Sequence, residues 1–289
     1  MAFPIGKHAH FVTTDWLADN LTSPGLVVID SSWYLPDEKR DPYAEYLTAH
    51  IPGAVFFDID AIADHSTPLP HMLPDPVTFS SAMRKLGIGD GMRALVYDGA
   101  GLFSAPRVWW TLRAFGMRDI AVLEGGLPKW KAEGRPLEEG RVQRQPRHFT
   151  ARLDHGAVAS LADVQRIVEQ RGQLVDARSA PRFAGEEPEP RPGLRPGHIP
   201  GSMNLPWREI IADGHLLPPP ALAEKFAAAG VDTRRPLTTT CGSGLSAAIL
   251  ALALESLGQT SVAVYDGSWT EWGGRRDLPA ETGKARAPA

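Results

Sequence analysis

Cys241 is the single cysteine of this 289-residue chain, and it lies in the run Thr240-Cys241-Gly242-Ser243-Gly244-Leu245-Ser246-Ala247. The run follows a β-prone apolar segment and precedes an apolar helical one. A thiol at such a turn is placed to act as a nucleophile. Glycine lets the loop curl so that successive N–H groups point inward. The helix beyond contributes its positive end. Both effects favour a thiolate. A free cysteine is also often a small buried hydrophobe, so the loop by itself leaves two readings open.

The rest of the chain bounds the answer. Its length suggests two domains, and 43% hydrophobic with 22% charged residues is the balance of a globular protein with an ample core. A net charge of −4 gives no basic surface for nucleic acid or anionic lipid. One cysteine permits no intrachain disulfide, which fits a reducing compartment. The start, Met1 to His8, has no apolar core of signal-peptide length. The longest apolar run, Ala247 to Leu254, is too short to span a bilayer. These features point to a cytoplasmic protein with neither nucleic acid nor membrane as partner.

The chain repeats itself once. His50-Ile51-Pro52-Gly53-Ala54-Val55 returns as His198-Ile199-Pro200-Gly201-Ser202-Met203. Val27-Val28-Ile29-Asp30 returns as Leu174-Val175-Asp176, and Val122-Leu123-Glu124-Gly125-Gly126 with Trp130 returns as Val264-Tyr265-Asp266-Gly267-Ser268 with Trp272. In the first copy Leu26–Asp30, Val55–Phe57, Ala94–Asp98 and Ala121–Leu123 read as buried parallel strands. Helical patterns at Phe79–Leu86 and Ala105–Phe115 lie between them. In the second, Leu174–Asp176, Met203–Leu205, Leu237–Thr240 and Val262–Tyr265 take the strand role. Ser160 and Asp163 read as the cap and first-turn acid of a helix running to Gln170. Such alternation predicts an α/β fold with a mostly parallel sheet in each copy. The expected layout is a first domain over residues 1–137, a polar linker over 138–156 and a second domain over 157–289. Matching the loops sets Asp98-Gly99-Ala100-Gly101 over Cys241-Gly242-Ser243-Gly244. Function in such sheets collects beyond the carboxyl ends of the strands. The second copy is therefore expected to do the chemistry and the first to close the cleft.

Several long motifs stand in order along nearly the whole chain. They are Cys241-Gly242-Ser243-Gly244, the segment Glu187-Pro188-Glu189-Pro190-Arg191 leading to Gly197-His198-Ile199-Pro200-Gly201, and His50 to Asp60. His71-Met72-Leu73-Pro74 and Ala105-Pro106-Arg107-Val108-Trp109-Trp110 add to them. In these the chain resembles the tandem rhodanese-domain sulfurtransferases, and among them the 3-mercaptopyruvate sulfurtransferases most. One departure is visible: the family loop usually continues Gly-Val-Thr-Ala, where this chain has Gly244-Leu245-Ser246-Ala247.

The resemblance implies two tandem rhodanese-like domains, each a mostly parallel sheet flanked by helices, the first catalytically inactive. It implies that Cys241 attacks the sulfur of a donor, releases a carbonyl product and becomes a persulfide, from which a second substrate takes the outer sulfur. It implies no cofactor and no metal. Thiosulfate-selective relatives carry cationic side chains in the loop, where this chain has neutral Gly242 and Ser243. That favours 3-mercaptopyruvate, whose carboxylate and ketone match Arg182 and Arg191 at the family's binding positions. Arginine suits the task through its planar, two-pronged donor edge. Gly242, Gly244, Leu245 and Ser246 complete the implied donor site. A serine–histidine–aspartate relay proposed for the family falls on Ser243, His71 and Asp60, where a histidine could move a proton near neutral pH. Thioredoxin, small thiols and cyanide are the implied acceptors.

Other residues carry blander expectations. Arg182 and Arg191 could instead pair with Glu186, Glu187 and Glu189 on a solvated loop. His71 could simply cap or pack in its proline-rich loop. His8 and His10 lack partners at metal-ligand spacing. His50 and His198 occur in both copies, which points to a structural role. Trp109, Trp110, Trp130 and Trp272 read as core aromatics, and Trp33 as core or cleft wall. No dinucleotide-type glycine fingerprint follows a strand. A phosphatase of related fold would need an arginine six residues after the cysteine, where this chain has Ala247, and a histidine at Thr240. Thiosulfate:cyanide transfer shares Cys241 and is the alternative activity. A non-catalytic binding module is argued against by the retained thiol.

Overall fold

The computed structural model describes Phe3 and residues 10–285; His8 lies outside the described residues. It divides into two compact units. The first takes the described residues up to Asp64 together with Leu73–Asp154 and Asp213–His215. The second takes His65–Met72, His155–Ala212 and the described residues from Leu216 onward.

The first unit runs β1 (Phe11–Val12), α1 (Thr14–Asn20), β2 (Leu26–Asp30), α2 (Pro42–Thr48), β3 (Val55–Phe56), α3 (Pro76–Lys85), β4 (Arg93–Tyr97), α4 (Ala105–Ala114), β5 (Ile120–Leu123) and α5 (Gly126–Ala132). Its strands lie in the order β1-β5-β4-β2-β3, all parallel. The second repeats the plan with β6 (Val158–Ala159), α6 (Leu161–Glu169), β7 (Gln173–Asp176), α7 (Ala180–Ala184) and β8 (Met203–Asn204). The chain continues through β9 (Ile211–Ala212), β10 (His215–Leu216), α8 (Pro219–Ala228), β11 (Leu237–Thr240), α9 (Leu245–Ser256), β12 (Val262–Tyr265) and α10 (Ser268–Gly274). The second sheet has the matching order β6-β12-β11-β7-β8, again parallel, and β9 with β10 forms a separate two-stranded sheet. The edge strands β1 and β6 differ from the expected set, because two residues show no period.

Local chemistry explains the boundaries. Asp41 and Asp75 each stand before a proline and accept two first-turn N–H groups, starting α2 and α3. Ser160 and Asp163 form a reciprocal capping box for α6. Each sheet packs one face into its own core. Leu17, Val28, Leu95, Tyr97, Leu123 and Trp130 are among the buried residues of the first, and Val164, Leu174, Ile199, Tyr265, Trp269 and Trp272 of the second. Each such side chain is worth ~2 kcal/mol of burial. Trp109 and Trp110 are buried too. His50 and His198 bond backbone carbonyls through Nδ1, to Tyr46 at 2.8 Å and to Phe183 at 2.9 Å, so both brace the start of the same turn. The polar stretch after α5 is bonded along the first unit: Glu138 with His50, His148 O with Asp90 N–H, and Arg152 N–H with Phe115 O.

In the second sheet the chain steps from β7 out to the edge at β8, then returns to β11 and leaves in the opposite direction toward β12. The reversal falls between β7 and β11, which are adjacent, with Thr240 level with Asp176. The loops leaving β7 and β11 must therefore meet above the same sheet end.

Candidate active site

Cys241 is the first residue after β11, and it is buried. Beyond it Gly244 adopts φ +81° and caps α9, a helix apolar on nearly every face and held inside the unit. The loop is pinned from behind by α10. Trp269 N–H donates to Cys241 O at 2.9 Å, and Thr270 donates to Gly242 O through N–H at 2.9 Å and Oγ1 at 2.6 Å. In a trans peptide the N–H of the next residue points opposite to the carbonyl. Tying back these two carbonyls turns the Gly242 and Ser243 N–H groups to the other side, where an anion can meet them together with the first-turn amides of α9.

Ser268 holds the same loop from α10. Its Oγ accepts from Cys241 N–H at 3.2 Å, donates to Tyr265 O at 2.7 Å and lies 4.0 Å from Cys241 Sγ. The residue sits at φ +50°, where the first unit has Gly126 at +54°. A Cβ on Gly126 would fall 2.6 Å from Asp98 O. Serine bears this left-handed conformation at a cost of ~1–3 kcal/mol, and its hydroxyl bridges the loop in return.

The first unit shows the cradle occupied by a side-chain carboxyl group. Asp98 directly follows β4 as Cys241 follows β11, and Leu127 N–H donates to its carbonyl at 3.0 Å, matching Trp269. Its buried carboxylate accepts from Ala100, Phe103, Ser104 and Ala105 N–H at 2.7–2.9 Å. The expected residue-by-residue match of the two loops needs correction. The strand ends correspond, but α4 begins only at Ala105 whereas α9 begins at Leu245, so the first loop is the longer. Its extra residues wrap donors around a side chain that reaches further than a thiol.

β7 delivers the cations. Arg178 lies fully buried, donating to Asp176 (2.6 Å at the shortest), to Gly197 O (2.9 Å) and to Glu189 Oε1 (2.7 Å). Glu189 also accepts from Arg182 Nη2 at 2.5 Å. Arg182 stays 26% exposed, and a Cβ on Gly242 would lie 3.2 Å from its Nη2, so its guanidinium stands over the thiol loop. The alternative of arginines paired on a solvated loop is thus corrected in part: Arg182 does pair with Glu189, but the side chain of that glutamate is only 2% exposed.

The other expected residues take varied places. His71 is buried at φ +62°, and its Nε2 faces Arg191 Nη2 at 3.3 Å. Ser243 is buried within the thiol loop. Asp60 belongs to the first unit, where Trp33 Nε1 donates to it at 2.9 Å. Trp33 is accordingly half-buried rather than core. Leu245 is buried and Ser246 half-buried in the first turn of α9. Among the described residues no group of three or more His, Cys, Asp or Glu is arranged to hold a metal. His10 packs its ring against Trp109, and burial, aided by Arg113, holds its pKa down at about 4.

A rhodanese-like domain model matches residues 13–133 and again residues 160–275. The chain belongs to the rhodanese-like family. It is 47% identical to the 3-mercaptopyruvate sulfurtransferase of Escherichia coli K12 over 94% of this chain and 97% of that one. It is 42% identical to the human 3-mercaptopyruvate sulfurtransferase over 90% and 91%. It is 43% identical to an Arabidopsis thaliana thiosulfate/3-mercaptopyruvate sulfurtransferase over 94% and 78%. The crystal structure of an E. coli 3-mercaptopyruvate sulfurtransferase with the rhodanese fold superposes with a TM-score of 0.84 at 44% identity, covering 90% of this chain and 98% of that chain. Both rhodanese-like units carry the same sheet. Among the described residues, no helix is long and apolar enough to cross a membrane.

Sequence reasoning passed over Asp176, Arg178, Ser268 and Thr270, and saw Glu189 only as a surface partner. One signal was present: the repeat sets Ser268 where the first copy has Gly126, a hydroxyl in place of the residue that such backbone favours.

Proposed function

We propose that this rhodanese-family chain transfers sulfur from 3-mercaptopyruvate to a thiol acceptor through a persulfide on Cys241, releasing pyruvate. The observation that carries the reading is the neutral amide loop around a buried thiol with one guanidinium standing over it. The Cys241 thiolate attacks the donor's sulfur. The donor's C–S bond breaks, its electron pair leaves as the enolate of pyruvate, and that carbon takes up a proton. The acceptor thiolate then attacks the outer sulfur, the S–S bond breaks, and its electrons return to Cys241 Sγ.

Roles follow from the chemistry. The amides of Gly242, Ser243, Gly244, Leu245 and Ser246 hold anionic sulfur at the start of α9. Arg182 takes the donor carboxylate through parallel N–H groups, with Arg191 as its partner. His71 with Ser243 and Asp60 supplies the proton to the enolate. The first copy, residues 1–137, is catalytically silent because Asp98 fills its cradle. Residues 138–156 join it to the catalytic copy, 157–289. The acceptor is a thiol such as thioredoxin or a small thiol, with cyanide as a substitute, in a reducing cytoplasm.

Initial rates with 3-mercaptopyruvate and with thiosulfate, at equal acceptor concentration, test the donor. A kcat/KM at least about tenfold higher for 3-mercaptopyruvate is expected, since a dianion gains little from a loop without cationic side chains. A preference for thiosulfate would overturn the assignment.

A further inference from the structure

We propose that Glu189 is a positioning residue that fixes Arg182 in its donor-binding pose and couples it to the thiol loop. The inference rests on the reading of Arg182 as the partner of the donor carboxylate.

An arginine side chain has four torsions and loses ~2 kcal/mol of rotamer freedom when held in one pose. Something must therefore define the pose before the donor arrives. Among the described residues Glu189 is the hydrogen-bond partner of the Arg182 guanidinium, through Nη2 at 2.5 Å and Nε at 3.4 Å. This occupies one edge of the planar group and leaves the other for a ligand. Glu189 is itself immovable. Its Oε1 also accepts from Arg178 Nη1 at 2.7 Å, and Arg178 is locked by Asp176 and by Gly197 O. The Arg178 guanidinium stacks 4.7 Å from the centroid of Trp269, and Trp269 N–H holds Cys241 O. One carboxylate thus touches the donor-binding cation on one side and a support of the nucleophile's loop on the other. It also separates two guanidiniums that would otherwise face each other unneutralised. The first unit is built differently at the matching place. Ser32 stands two residues past Asp30, as Arg178 stands past Asp176, and Arg40 is turned onto Tyr34 and Glu45.

The test is steady-state kinetics with 3-mercaptopyruvate on Arg182→Ala, Glu189→Gln and the double variant. The rate of Cys241 alkylation by iodoacetamide and the melting temperature are measured alongside. Loss of a charge-assisted contact is expected to raise KM about tenfold in Glu189→Gln while kcat falls less than about threefold. Alkylation should stay unchanged. The double variant should be no worse than Arg182→Ala alone, because Glu189 acts through that arginine. Glu189→Asp, which keeps the charge, should recover part of the KM loss. An unchanged KM in Glu189→Gln, additive losses in the double variant, or a KM that only tracks melting temperature across the Glu189 variants would each overturn the inference. If Arg182→Ala itself leaves KM unchanged, the donor assignment fails instead.

Discussion

Cys241→Ser should lower sulfur transfer by ~1,000-fold or more, the scale on which loss of a covalent nucleophile acts. The side chains are nearly isosteric, and at a site 2% exposed the fold should tolerate the exchange. The chemistry should not. A hydroxyl is far less acidic than a thiol, and the amide cradle cannot ionise it at neutral pH. A serine oxygen is also a poor partner for a sulfane sulfur that must later leave. With no second thiol in the chain, no other residue can take over. Pyruvate release measures the loss, and intact mass measures the intermediate. Wild-type protein mixed with donor alone should gain one sulfur, and the serine variant none. An undiminished rate in the variant would remove the covalent mechanism.

Arg182→Ala should raise KM for 3-mercaptopyruvate by ~10–100-fold, the value of a bidentate, charge-assisted contact in a partly desolvated site. Arg182 keeps enough exposure to meet a ligand, and its Nη2 stands beside the loop backbone at Gly242. Its removal leaves Glu189 still paired with Arg178, so no buried charge is stranded and the unit should stay folded. The reaction of Cys241 with a neutral alkylating agent should barely change, since such a reagent has no carboxylate to bind. Equal losses in donor affinity and thiol reactivity would mark a disturbed fold and deny Arg182 its role.

Much of the architecture was legible because a buried parallel strand reads as a short apolar or β-branched run, and the two copies check each other. Leu26–Asp30, Leu237–Thr240 and Val262–Tyr265 were readable to the residue. β1 and β6 were not, since their strand character comes only from pairing with β5 and β12. In the site, a cysteine at a strand end followed by Gly242 and Gly244 stood out, as did Arg182 and Arg191 through their motif. The ties behind the loop did not, because Trp269 and Thr270 hold it through backbone N–H groups that any sequence possesses, to which Thr270 adds one hydroxyl. Glu189 looked like solvated charge, for it lies among other glutamates and prolines, and only packing against two arginines takes it out of water. The longer loop after Asp98 escaped notice because matching glycines suggested an even alignment.

Asp98 gives the N-terminal cradle a permanent tenant, bound to the chain and held by its amides. In the mechanism proposed for Cys241, its C-terminal twin holds charge only as the thiolate and persulfide, and loses it once that sulfur is capped. Stiffness of the Gly242–Leu245 backbone should therefore rise and fall with turnover. Amide hydrogen exchange should quicken there after alkylation of Cys241, while Phe103 and Ser104 remain protected; identical exchange in both forms would show the loop to be rigid without its anion.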